Sequence, residues 1–308
     1  MQKFLFSIAL LMPLICHAKI AHHFREWEHK VSGSAVKNID YIYVINLDMR
    51  PEKLNRTLVQ LEPYGIVPER FSAIYGWDIP FPVLKDIGVH FAPGMWQGGG
   101  IVVPRTFDGK AFLIPQSEAA YGSTIFSNEI NKGAIGCTLS HLSVLNDAYE
   151  SNYETIWVME DDILVLKNPH LLSSYIEELD GLIGKENWDI LYTDYDYLMG
   201  LDENRDLFEQ IPMKWRPDMP FFDITQFLEH TSVGEHFLKI GSRLRTHSMI
   251  IRRSGMQKIL DFYKDHQVFI PFDHELFFIP DMKFFVLRDS VVSLLNPLIS
   301  DIKNHHFQ

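Results

Sequence analysis

Cysteine is almost absent: 308 residues hold two, Cys16 and Cys137. Once an N-terminal segment that includes Cys16 is set aside, one thiol remains, which excludes an intrachain disulfide and any all-cysteine metal site. Positive charge is short as well. Lys and Arg number 28 against 40 Asp and Glu, for a formal net charge of -12. So acidic a surface repels phosphate backbones and argues against nucleic-acid binding. An anionic small molecule stays possible if a local cation screens it. No internal repeat, charge run or low-complexity linker interrupts the chain. No apolar run outside the N-terminus approaches a membrane span.

The N-terminus reads apart from the rest. Lys3 supplies a positive start, Phe4 to Cys16 form an apolar run interrupted by Pro13, and Cys16-His17-Ala18 ends on a small residue. This is the layout of a cleavable secretory signal over residues 1–18, too short to span a membrane comfortably. An uncleaved segment that keeps the protein near a membrane is the alternative. Residues 19–38 form a polar lead-in.

What the chain does have is aromatic and apolar material, 22 Phe, 12 Tyr and 6 Trp among it, enough for one large α/β domain. Tyr41 to Leu47 is an unbroken apolar run of the kind buried in parallel sheets, and Pro51 opens a helix with Leu54, Leu58 and Leu61 on one face. Strand followed at once by helix begins a βαβ unit. Residues 77–132, with five prolines and Gly98-Gly99-Gly100, read as irregular. Ile135, Leu139, Leu142, Leu145 and Tyr149 mark a helix, and Thr155 to Met159 a short buried strand. A helix near 169–180 and a strand near Trp188–Tyr192 follow, then an aromatic, irregular stretch over 193–240. The last unit is a strand at Ser248–Ile251 and a helix at Ser254–Tyr263, with strands at 284–287 and 291–295. The fold class expected is α/β and Rossmann-like: a single domain with a mostly parallel sheet flanked by helices.

The strand at 155–159 runs directly into Glu160-Asp161-Asp162. Parallel α/β sheets place ligands at the carboxyl edge of their strands. With alternating side chains, Glu160 and Asp162 face one space, where two carboxylates and diphosphate oxygens suit Mn²⁺ or Mg²⁺. The competing reading is a solvated acidic turn.

The surroundings of the triplet resemble glycosyltransferase family 25, which includes lipopolysaccharide-biosynthesis and procollagen galactosyltransferases. Gly133-Ala134-Ile135-Gly136-Cys137-Thr138-Leu139-Ser140-His141 precedes Val158-Met159-Glu160-Asp161-Asp162 at the family's spacing. Val44-Ile45-Asn46-Leu47-Asp48-Met49-Arg50-Pro51 looks like its opening block, and Glu69 to Gly76 like its next. Met249 to Gly255, Pro271-Phe272-Asp273 and Ser300-Asp301-Ile302 continue the likeness in order. Residues 39–302 would form the family domain, with 303–308 as a tail. The resemblance implies a GT-A-type fold, a UDP-sugar donor, a Mn²⁺-binding acidic motif with Glu160 and Asp162 on the metal side and Asp161 between them, and inversion at the anomeric carbon. Galactose or a related hexose would pass to a glycan, a lipid-linked saccharide or a protein hydroxyl. Residues 77–132 match little of the family pattern.

Asn46, Asp48 and Arg50 end the first strand, where such residues can hold base, ribose and phosphate; alternatively Asp48 caps the helix that Pro51 opens. Inverting transfer needs a carboxylate to take the acceptor's proton. Asp273 is the candidate and Glu275 its substitute. His141 and Cys137 read as packing residues on an apolar helix. His305 and His306 could complete a metal shell. Two rival readings are a catalytically silent binding relative and a metal-dependent phosphoester hydrolase, the latter short of His and Asp ligands. A secretory signal sits awkwardly with donors made in the cytoplasm. A eukaryotic lumen imports them, and Asn55-Arg56-Thr57 would there be a glycosylation sequon.

Overall fold

The computed structural model describes residues 19–27, 34–96, 100–102, 114–195, 216–220 and 224–295. Residues 1–18, expected to form a signal, and Ser300-Asp301-Ile302, His305 and His306 lie outside them. The strands are β1 (Tyr41–Asn46), β2 (Glu69–Ser72), β3 (Val89–His90), β4 (Gly100–Val102), β5 (Ile114–Pro115), β6 (Thr124–Ser127), β7 (Thr155–Glu160), β8 (Ile163–Val165), β9 (Ile190–Tyr192), β10 (His230–Val233), β11 (Phe237–Ile240), β12 (Ser248–Arg252), β13 (Phe284–Leu287) and β14 (Val292–Leu294). The helices are α1 (Pro51–Leu61), α2 (Phe81–Ile87), α3 (Lys132–Glu150), α4 (Leu171–Ile183), α5 (Arg253–His266) and α6 (Phe272–Glu275).

Eight strands make the central sheet in the order β10-β11-β13-β9-β12-β7-β1-β2. β2, β1 and β7 are parallel neighbours, as are β9 and β13, while β12 and β11 run against their neighbours. Six of the eight strands therefore point one way. The apolar runs are unbroken because both faces are covered. Tyr41, Tyr43 and Ile45 of β1 and Ile156 and Val158 of β7 join a core with α3 and α5, through Leu139, Leu142, Met256 and Ile259. Ile42, Trp157 and Met159, one residue out of phase, join a second core with Leu172, Ile176 and Leu179 of α4. The architecture is α/β and Rossmann-like.

Two stretches expected to be irregular hold structure. Within 77–132 lie α2 and the four-stranded sheet β3-β6-β4-β5. Its strands are two to four residues long, too short to show a period. The hairpin β10–β11 ends the large sheet inside 193–240, and β10 is largely exposed, so no apolar run marks it.

Two glycines set the loop before α2 against α3. A Cβ on Gly136 would lie 2.5 Å from the backbone nitrogen of Gly76, and one on Gly76 would lie 1.8 Å from the carbonyl oxygen of Lys132. Both obstacles are backbone. Gly136→Ala is therefore expected to lower stability by about 1–3 kcal/mol, the usual cost of overpacking. Urea unfolding would measure it, and an unchanged midpoint would show that the two segments separate freely.

Candidate functional site

An open cleft sits at the carboxyl end of β1 and β7, lined by Lys53, Tyr75, Trp77, Cys137, His141 and the three acidic residues, among others. It lies where the sheet topology puts ligands, and every element around it is built by the sequence patterns above.

The acidic triplet does not alternate as a continued strand would. β7 ends at Glu160, and residues 161 and 162 form a turn before β8. Glu160 keeps the phase of Ile156 and Val158 and so faces α3. Its Oε1 accepts from the Thr246 hydroxyl at 2.9 Å and lies 3.7 Å from His141 Nε2. Asp161 turns the other way, toward α1. Its Oδ2 accepts from Asn46 Nδ2 at 2.7 Å, and its Oδ1 is 3.9 Å from Lys53 Nζ. Asp162 Oδ1 is buried and, among the described residues, has no hydrogen-bond partner. The turn is clamped from α1 by Thr57, whose hydroxyl donates to the Asp161 carbonyl. Thr57 is also the third residue of the sequon, and it is fully buried.

Burial raises the Glu160 and Asp162 carboxyls above the ordinary carboxylate range, and repulsion from neighbouring carboxylates adds to it. The cleft thus concentrates negative charge that ordinary hydrogen bonding does not satisfy, and a cation fits it. Among the described residues, the group of three or more donors drawn tight enough to share an ion is Cys137, His141 and Glu160, with one donor atom of each within 4.8 Å of the others. Asp162 is not in that group, although it lines the same cleft. Glu160 and Asp162 line one cleft, with Asp162 carried there by the turn, and α3 supplies further close neighbours of Glu160.

His141 is buried, as expected of a packing histidine, and burial pushes its ring down to about 4. It is nevertheless part of the cleft wall, as is Cys137. Sequence reasoning passed over Lys53 altogether. The apolar face of α1 was read from its leucines, yet the buried line is Lys53, Thr57 and Leu61 at spacings of four. That spacing was visible and was the available signal.

Asn46 is 1% exposed and uses its amide fully: Nδ2 donates to Asp161 and to the Arg50 carbonyl, and Oδ1 accepts from Arg70. Asp48 does not cap α1, whose N-cap is Arg50 with no side-chain bond. It accepts instead from Arg70 at 2.5 Å and Ser72 at 2.7 Å, and those bonds hold its carboxyl below the usual range. Arg50 pairs with Glu52 at 2.5 Å.

Asp273 and Glu275 separate clearly. Asp273 is not part of the cleft lining but is near enough for its charge to act on Glu160, His141 and Cys137, and its Oδ2 accepts from the Arg245 backbone at 2.9 Å. Glu275 is fully buried and ion-paired with Arg216, and it accepts from the backbone of Phe269 at 2.7 Å and Ile270 at 3.2 Å. Two residues along a helical turn point in different directions, so the substitute base is occupied in fastening residues 216–220 to the body of the fold.

Behind the cleft, Asp194 binds Arg243 at 2.5 Å, His247 at 3.1 Å and Ser293 at 2.7 Å. Burial opposes its ionisation, but Arg243 and His247 prevail and keep it charged. None of these residues stood out in the sequence.

The model of glycosyltransferase family 25 (LPS biosynthesis protein) matches residues 39–276. The chain is similar to a glycosyltransferase 25 family member of Aedes aegypti, 28% identical over 154 residues, which is 50% of this chain and 21% of that protein. It is also similar to a Drosophila melanogaster member at 23% identity over 55% of this chain and 23% of that protein. A mouse protein named inactive glycosyltransferase 25 family member 3 is 26% identical over 50% of this chain and 21% of its own length. The similarity thus spans about a fifth of these relatives.

Proposed function

From the chain's membership of glycosyltransferase family 25, we propose that it is an inverting, metal-dependent transferase moving a hexose, galactose first, from a UDP-sugar to a hydroxyl of a glycan, a lipid-linked saccharide or a protein. The observation that carries this is the cleft itself, where three carboxylates and a buried lysine converge at the carboxyl edge of the sheet. The fold would then be of the GT-A type.

Glu160 and Asp162 would hold Mn²⁺ or Mg²⁺; the orphaned oxygen of Asp162 fits that use. A divalent cation there neutralises a diphosphate and stabilises it as leaving group. Lys53, tied to Asp161, adds a second positive charge for the same phosphates. Asn46 fixes Asp161 and the start of α1, so it supports the nucleotide side through position. Asp48, oriented by Arg70 and Ser72, would hold a ribose hydroxyl, and Arg50 a phosphate. Asp273 would receive the acceptor's proton as that oxygen attacks.

A screen of UDP release over several UDP-sugars, with and without Mn²⁺ and an acceptor panel, tests donor, metal and transfer together. No metal-stimulated release from any of them would refute the reading. The relatives in mouse and human that are named inactive favour a second one, a silent nucleotide-sugar binder. It predicts donor binding without an acceptor product.

For location we propose entry into the secretory route with loss of residues 1–18. No helix among the described residues is long and apolar enough to cross a membrane. N-terminal sequencing of the native protein is expected to begin at or near Lys19; an intact Met1 in a cytosolic fraction would refute export.

A further inference from the structure

α3 carries Cys137 and His141 four residues apart, so both side chains leave the same face of the helix. That face meets Glu160 at the end of β7. His141 Nδ1 lies 3.1 Å from the Cys137 carbonyl oxygen. With the ring proton on Nδ1, donated to that carbonyl, Nε2 presents a bare lone pair. Nε2 is buried, has no hydrogen-bond partner among the described residues, and looks across 3.7 Å at Glu160 Oε1. Phe272 stacks on the imidazole at 4.7 Å and keeps the ring in this setting.

The same oxygen accepts from the Thr246 hydroxyl. In that tautomer, Nε2 and an ionised Glu160 are two acceptors facing each other. The Cys137 sulfur lies 3.6 Å from His141 Nδ1, and one donor atom from each of Cys137, His141 and Glu160 lies within 4.8 Å of the other two. Such a group is repulsive when empty and becomes favourable around a positive ion. Nitrogen and sulfur donors favour Co²⁺ and Zn²⁺ far more than Mg²⁺.

We propose that Cys137 and His141 join Glu160 as ligands of a divalent transition metal, so that the cation site of the cleft has a soft side that no acidic motif supplies. Binding converts the thiol to a thiolate, and its proton passes to solvent. The inference rests on the proposed function only in sharing Glu160, and its test requires no sugar transfer.

The full chain carrying Cys16→Ser, in which Cys137 is the single thiol, is stripped with a chelator and titrated with Co²⁺ alone. A sulfur-to-cobalt charge-transfer absorption in the near ultraviolet is expected at one equivalent. It should vanish in Cys137→Ser, and His141→Gln should weaken Co²⁺ binding by at least about 10-fold. Should Cys137→Ser fail to fold, alkylation of the parent decides: Zn²⁺ is expected to slow reaction of Cys137 with iodoacetamide, and Mg²⁺ is not. Cobalt bound without that absorption, no cobalt bound, or equal alkylation with and without Zn²⁺ would each overturn the proposal. Metal-stimulated transfer without the sulfur absorption rejects this inference alone. The absorption in a protein that transfers no sugar rejects the transferase reading alone.

Discussion

Asp273→Asn is expected to cut sugar transfer by about 10²-fold or more, the usual scale for a positioned base, while donor binding stays near that of the parent. The substitution keeps the shape of the side chain. The amide oxygen can still accept from the Arg245 or the His274 backbone but not from both, since the amide NH2 then faces the other N–H, so unchanged donor binding is the check that the loop has held. What is lost is the ability to take up a proton. Asp273 is suited to that task because its carboxylate is held by two backbone N–H groups beside the acidic cleft without being tied to a cationic side chain at close range. Donor titration and turnover measured on one preparation separate the two effects. Parental turnover in a folded Asp273→Asn protein would remove Asp273 from the reaction. Glu275 would not inherit the role, since its charge is already engaged by Arg216 in the interior.

Asp162→Asn should abolish Mn²⁺ stimulation, lowering metal-dependent turnover by ~10²-fold or more, because the several kcal/mol that a bound ion contributes to charge stabilisation depend on its ligands. Stability should move the other way or stay level. The carboxylate is buried beside Glu160 and Asp161 with Oδ1 unpartnered, so its charge is a cost to the metal-free fold. Thermal unfolding in chelator therefore discriminates a ligand from a structural residue. A lowered Tm together with intact Mn²⁺ stimulation would show that Asp162 supports the turn and holds no ion.

The sequence by itself determined the frame. Runs such as Tyr41–Leu47 and Thr155–Met159 are readable because strands covered on both faces tolerate no polar residue, and α3 and α5 show their stripes because one side of each meets the sheet. It also placed the acidic triplet at a strand's carboxyl end, since the end of an apolar run is a local feature. Spacing could not say where the side chains point once the strand stops. Glu160, last in the strand, meets His141 and Cys137 on α3, while Asp161 in the turn meets Asn46 and Lys53. Those contacts join residues from 19 to 115 positions apart, and no periodicity carries such information. For the same reason the sequence ranked Asp273 over Glu275 only by the resemblance of Pro271-Phe272-Asp273 to the family, since two carboxylates two residues apart are chemically alike. Only the arrival of Arg216, from a segment 59 residues away, commits Glu275 to the interior, while Asp273 is held by the Arg245 backbone. Partners distant in the chain decide the burial and charge of each group, and only tertiary packing brings them together.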